Sequence, residues 1–193
     1  MTTSPAQRYR RALDLVTGLV VTFPPEAWGQ MSPCPSWTAR DLLGHLVDGQ
    51  EQILSMLRGH GRRPVEDDTA AGTGPELVAM WHAAVRELTQ MLADLDLDTV
   101  VPTPTRPRTV DELLTIGVIE PLIHAWDLAA TTDRSITLDP EAVHATLIGI
   151  RALDVDLAAT GMYAAPVAIR EGATKQDQLI AATGRDPSLS VQP

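Results

Sequence analysis

Apolar residues in this chain recur every three or four positions over several long stretches, the spacing of helices with one buried face. In the first stretch Leu13, Val16, Leu19 and Val20 form a stripe that Leu15 and Val21 widen. Ser4 can cap it, Pro5 fits the first helical position, Gln7 can close a capping box, and Pro24-Pro25 ends it. A turn-rich connector leads to a second helix with Thr38 and Asp41 as its box and Trp37 and Leu42 as a hydrophobic staple. That helix carries Leu42, Leu43, His45, Leu46, Val47, Ile53, Leu54 and Leu57, and Gly59-His60-Gly61 should end it. Residues 62–74 are polar and small, which predicts a mobile loop. Thr73 and Glu76 then open a third helix bearing Leu77, Met80, Trp81, Ala84, Val85, Leu88, Met91 and Leu92.

After a proline-rich extended stretch at 100–108, Thr109 and Glu112 start a fourth helix expected over 110–131. Pro121 lies inside it, removes a backbone donor and should kink it just at Glu120 and His124. Asp139-Pro140-Glu141 opens a fifth, with Val143, Leu147, Ile150, Leu153, Val155 and Leu157 as apolar positions. Residues 163–170 read as a short extended segment. Thr174 and Asp177 cap a last short helix, and Gly184 stands where a C-terminal glycine belongs. Long helices with short accessories predict an all-α helical bundle, one domain over residues 1–187 with a frayed tail at 188–193.

Composition sharpens this picture. Aromatics make up only 4% of the chain, so Leu, Val, Ala, Ile and Met must fill the core, a mix that suits helices over a β-sandwich. The net charge of -10 argues against nucleic-acid binding and against docking on an anionic membrane. No N-terminal signal and no apolar run near the ~18 residues of a membrane span are expected. The single cysteine, Cys34, excludes an internal disulfide framework. A cytoplasmic protein is expected. No G-x-S-x-G elbow, P-loop or dinucleotide fingerprint is present, which leaves nucleotide and serine-hydrolase chemistry unsupported.

The chemistry gathers in E-P-L-I-H-A-W-D-L-A, residues 120–129. Glu120 and His124 are one helical turn apart, and Asp127 lies close to the same line. Polar groups on an apolar face need partners, and a divalent cation would serve. Alone, His45 reads as a core or rim histidine. With Glu120 and His124 it makes a His2Glu set on two helices, a combination used by catalytic zinc. Nickel, iron and manganese also suit these ligand types. Asp127 reads either as an acceptor that orients a ligand imidazole or as half of a structural salt bridge. Cys34, between two prolines, reads as structural rather than reactive, although a helix start lowers a thiol pKa. Trp37 and Trp126 read as packing residues, and His60, His82 and His144 lack partners in ligand register. Arg62 and Arg63 read as solvated charges before anion binders.

P-C-P-S-W-T-A-R-D-L-L-G-H-L-V (33–47), followed by E-P-L-I-H-A-W-D-L-A, resembles the DinB/YfiT-like superfamily. More narrowly it is similar to the actinobacterial metal-binding branch that includes mycothiol-dependent maleylpyruvate isomerase N-terminal domains. The shared pattern is C-P-x-W-T-x-x-D-L-x-x-H, then E-x3-H-x-W-D. The stretch G-A-T-K-Q-D-Q-L-I-A-A-T-G-R-D-P (172–187) resembles the end of that branch. The resemblance implies a DinB-like up-down four-helix bundle, His45, Glu120 and His124 as metal ligands, and zinc as the first choice of metal. It also implies mycothiol as thiol cosubstrate, a small electrophilic substrate, and a homodimer. Pro121 departs from the pattern and should shift Glu120. The chain is expected to lack the extra C-terminal domain of the maleylpyruvate isomerases, which counts against isomerase activity itself. A metal-dependent thiol transferase or isomerase is therefore the leading expectation. A non-catalytic metal-dependent small-molecule binder is the alternative, and a purely structural bundle comes third.

Overall fold

The computed structural model describes residues 3–63, 72–152 and 157–190. The helices are α1 (Pro5–Val21), α2 (Ala39–Leu57), α3 (Gly74–Asp94), α4 (Val110–Gly117), α5 (Ile119–Thr131), α6 (Pro140–Ala152) and α7 (Lys175–Ala182). Their starts are set locally. Capping boxes form at Ser4–Gln7, Thr38–Asp41, Thr73–Glu76, Thr109–Glu112 and Thr174–Asp177, where a side chain at each end satisfies a backbone donor at the other. Asp139 Oδ1 accepts from the Ala142 N–H at the start of α6, and its Oδ2 takes Arg11 Nη1 at 2.8 Å, which ties α6 to α1.

Packing closes these helices into a ring. α1 packs on α3 and α5, and α2 packs on the same two, while α6 and α7 lean on each other and on the outside. The apolar stripes meet in one cluster that includes Leu13, Leu43, Leu54, Leu77, Trp81, Leu88, Leu114, Leu122 and Trp126. Two polar groups inside it are satisfied across helices. Trp81 Nε1 donates to Thr17 Oγ1 at 2.9 Å, and the Tyr9 hydroxyl donates to Gln50 Oε1 at 2.8 Å. Val21, expected in the α1 stripe, is 63% exposed at the helix end.

The expected fourth helix is two helices, interrupted at Val118, upstream of the proline. The reason lies in Pro121. It lacks the N–H that would bond the Gly117 carbonyl, and its ring crowds that carbonyl four residues back. The ladder therefore breaks at Gly117–Val118 and restarts, and Pro121 falls in the first turn of α5, where proline is tolerated. Val118 keeps right-handed helical dihedrals (φ −64°, ψ −21°), so the chain direction changes little. Taken together, Val110–Thr131 is long and apolar enough to cross a membrane by length and composition, contrary to the sequence expectation. Of its most apolar window 72% is buried in the protein, as for the core helix of a bundle.

The proline-rich stretch holds a small feature the apolar pattern misses: β1 (Val100–Val101) pairs antiparallel with β2 (Arg108–Thr109). Residues 163–170 are irregular and form no strand. The predicted frayed tail is ordered at its start, where Pro187–Ser190 forms a 3-10 turn and the Ser188 N–H and hydroxyl bond Asp186. Leu153 and Val155, most of the expected mobile loop (64–71), and 191–193 lie outside the described residues.

Gly184 follows α7 with φ +81°, and a Cβ there would sit 2.5 Å from Ala164 Cβ and 2.8 Å from its carbonyl. Gly18, inside α1, has open space where its Cβ would go. Gly184→Ala should therefore destabilise the protein by about 3 kcal/mol, from left-handed strain plus overpacking. Gly18→Ala should stabilise it by about 0.5–1 kcal/mol. Urea denaturation of the two variants measures both signs.

Candidate metal centre

α2 and α5 pack face to face, and that contact brings the predicted residues together. His45 projects from α2, and Glu120 and His124 from the first turns of α5. His45 Nε2 lies 2.9 Å and His124 Nε2 3.4 Å from the same oxygen, Glu120 Oε2. The three donor atoms all lie within 4.8 Å of one another. The shift feared from Pro121 does not separate them, because the helix break falls before Glu120 rather than after it.

Each donor is held from behind. Asp127 Oδ2 accepts from His124 Nδ1 at 2.9 Å, which turns Nε2 toward Glu120. The Tyr163 hydroxyl donates to Glu120 Oε1 at 2.8 Å, leaving Oε2 for the imidazoles. Trp37 lies against both histidine rings, with centroids 4.7 Å from His45 and 5.8 Å from His124. The two imidazoles meet nearly edge-on, 5.2 Å apart at 83°.

Asp127 is fully buried, and so is Arg185, 3% exposed. Arg185 Nε reaches Asp127 Oδ1 at 3.2 Å and Nη2 reaches Oδ2 at 3.0 Å, while Nη1 donates to the Thr183 carbonyl at 2.7 Å. Both readings of Asp127 are thus realised in one residue: it orients His124 and forms a salt bridge. Cys34, His124 and Asp127 also cluster within 4.8 Å, but Arg185 already binds both Asp127 oxygens and would repel a cation there.

Charge follows this geometry. Burial favours a neutral Glu120, yet its bonds to His124 and His45 outweigh that and hold the carboxyl well below its usual range. Burial likewise opposes a charged His124, and Asp127 and Glu120 overcome it and raise the imidazole pKa. Burial pushes the Cys34 thiol up to about 11, so the dipole-activated reading of this cysteine fails.

Cys34, Trp37, His45, Glu120, His124, Tyr163 and Arg185 share the wall of one cavity of about 560 Å³. Tyr163, Arg185 and the role of Trp37 were missed from the sequence. Arg185 does lie in the T-G-R-D-P stretch that carried part of the resemblance; Tyr163 has no local signal. Of the other sequence candidates, Arg63 pairs with Glu51 at 3.2 Å, and His144 lies 3.0 Å from Lys175 on the surface. Neither lines this cavity.

Arg185→Met should cost about 3–5 kcal/mol, because it strands the buried Asp127 carboxylate with only His124 for company. Denaturant unfolding at neutral pH measures this loss.

The chain is similar to known proteins in sequence and in fold. Residues 9–129 match the family described as mycothiol maleylpyruvate isomerase N-terminal domain, a span that holds His45, Glu120, His124 and Asp127. Two relatives from Mycobacterium tuberculosis, Uncharacterized protein Rv0738 of strain H37Rv and Uncharacterized protein MT0763 of strain CDC 1551 / Oshkosh, are each 30% identical over 149 residues. That alignment covers 77% of this chain and 79% of theirs. Among solved structures, the mycothiol-dependent maleylpyruvate isomerase superposes with a TM-score of 0.63 at 14% identity. A histidine-to-alanine mutant of it superposes at 0.58 and 13%, and each match covers 77% of this chain and 70% of the other. These likenesses bear out the all-α, DinB-like bundle. The chain belongs to the mycothiol maleylpyruvate isomerase N-terminal domain family.

Proposed function

We propose that this protein binds one divalent metal, zinc first, through His45, Glu120 and His124, and uses mycothiol on a small electrophile as a thiol transferase or isomerase. The observation that carries the reading is the convergence of two imidazole nitrogens on one carboxylate oxygen inside a cavity. Tetrahedral zinc with ligand bonds of about 2.0–2.1 Å needs donors roughly 3.3 Å apart; the 3.4 Å pair meets this, and the 2.9 Å pair would open slightly around an ion. Membership in a family described by mycothiol supports the choice of thiol.

A bound divalent cation supplies the positive charge that keeps a thiol ionised at neutral pH. The protein's own residues do the rest. Asp127 holds the His124 ring in one orientation, and Tyr163 holds Glu120. Trp37 packs against both imidazoles and limits how their rings can turn. The cavity leaves room beside the donors for a thiol and a small partner.

Protein purified without an affinity tag or added metal should carry stoichiometric zinc by elemental analysis. His45→Ala should keep the fold and lose metal affinity by more than the roughly 10–100-fold typical of an outer partner. Metal-free wild type whose melting temperature ignores chelators would sink the metal assignment.

Turnover separates the catalyst from a binder. Chloro-dinitrobenzene should be consumed with mycothiol and zinc, and not when either is left out. Saturable mycothiol binding by calorimetry without turnover of this or other electrophiles would favour the non-catalytic binder.

A further inference from the structure

We propose that Tyr163 is a positioning residue of this site, whose hydrogen bond to Glu120 Oε1 fixes the carboxylate so that Oε2 alone faces the two histidines. The inference rests on the metal reading above and deepens it. Glutamate is a flexible ligand: several bonds rotate, and its carboxylate can offer one oxygen or both. Glu120 is half-buried in an open cavity, so helix packing alone does not settle its rotamer. Its Oε2 lies between His45 and His124, and its Oε1 takes the Tyr163 hydroxyl at 2.8 Å. A donor on the outer oxygen opposes rotation toward a two-oxygen grip, which would use up the position that a thiol needs.

Tyr163 can do this because its segment is pinned. Gly161 turns the chain with φ +73°, and the Val167 N–H donates to the Ala181 carbonyl at 3.0 Å. Ala164, the next residue, rests where the Cβ of Gly184 would be. The segment thus docks on the C-terminal end of α7, and the following residue there, Arg185, is anchored on Asp127. Tyr163 lies beyond residues 9–129, the span matched to the family. The structure therefore assigns control of a ligand in the matched region to a residue outside it.

The test is zinc affinity by competition with a chromophoric chelator, alongside melting of the metal-free protein. Tyr163→Phe should weaken zinc binding by roughly 10–100-fold, the usual effect of losing an outer partner, and leave the metal-free melting temperature unchanged. In a Glu120→Asp background, whose carboxylate is drawn back by one methylene, the same substitution should add little, a coupling that a packing role does not produce. Wild-type affinity in Tyr163→Phe, or an equal loss in both backgrounds, overturns the inference and leaves the metal reading standing. Zinc uptake absent from the wild type overturns both.

Discussion

The structure depends on one buried carboxylate. Asp127 sits on α5 with no exposure, and an ionised group there costs several kcal/mol in lost hydration. Two groups offset that cost. Arg185 lays its fork across both oxygens, and His124 donates from the next turn of the same helix. One pairing fastens the end of the chain to the central helix, and the other aims an imidazole into the cavity. Stability and site geometry therefore share a single charge.

Around it the polar groups form a continuous relay: Arg185 to Asp127, Asp127 to His124, His124 to Glu120, and Glu120 to both His45 and Tyr163. Acidic and basic groups alternate from Arg185 to Glu120, which is why the Glu120 pKa falls and that of His124 rises despite burial. Its inner part, Arg185, Asp127 and His124, is buried, while Glu120 and His45 face the cavity.

Local signals were legible in the sequence and long-range ones were not. The capping boxes need only residues three apart, and all appear where expected. Glu120, His124 and Asp127 share a helical face by spacing alone, and the two-part motif brought in His45. Pro121 announced a disturbance, but the expected place beside Glu120 and His124 was wrong, because the clash acts four residues upstream at Gly117. Trp37 looked like a staple since its spacing to Leu42 fits one, yet its ring lies on two histidines, one of them from another helix. Tyr163 and Arg185 reach the site from irregular segments, and no periodicity encodes where such segments return.

The docking of residues 161–185 also divides the site between two stretches of chain. The three donors lie earlier in the chain than Tyr163 and Arg185. Without that later stretch Asp127 would keep only His124, and the outer oxygen of Glu120 would lose its hydroxyl donor. The site's contacts are complete only when residues 161–185 lie against α5.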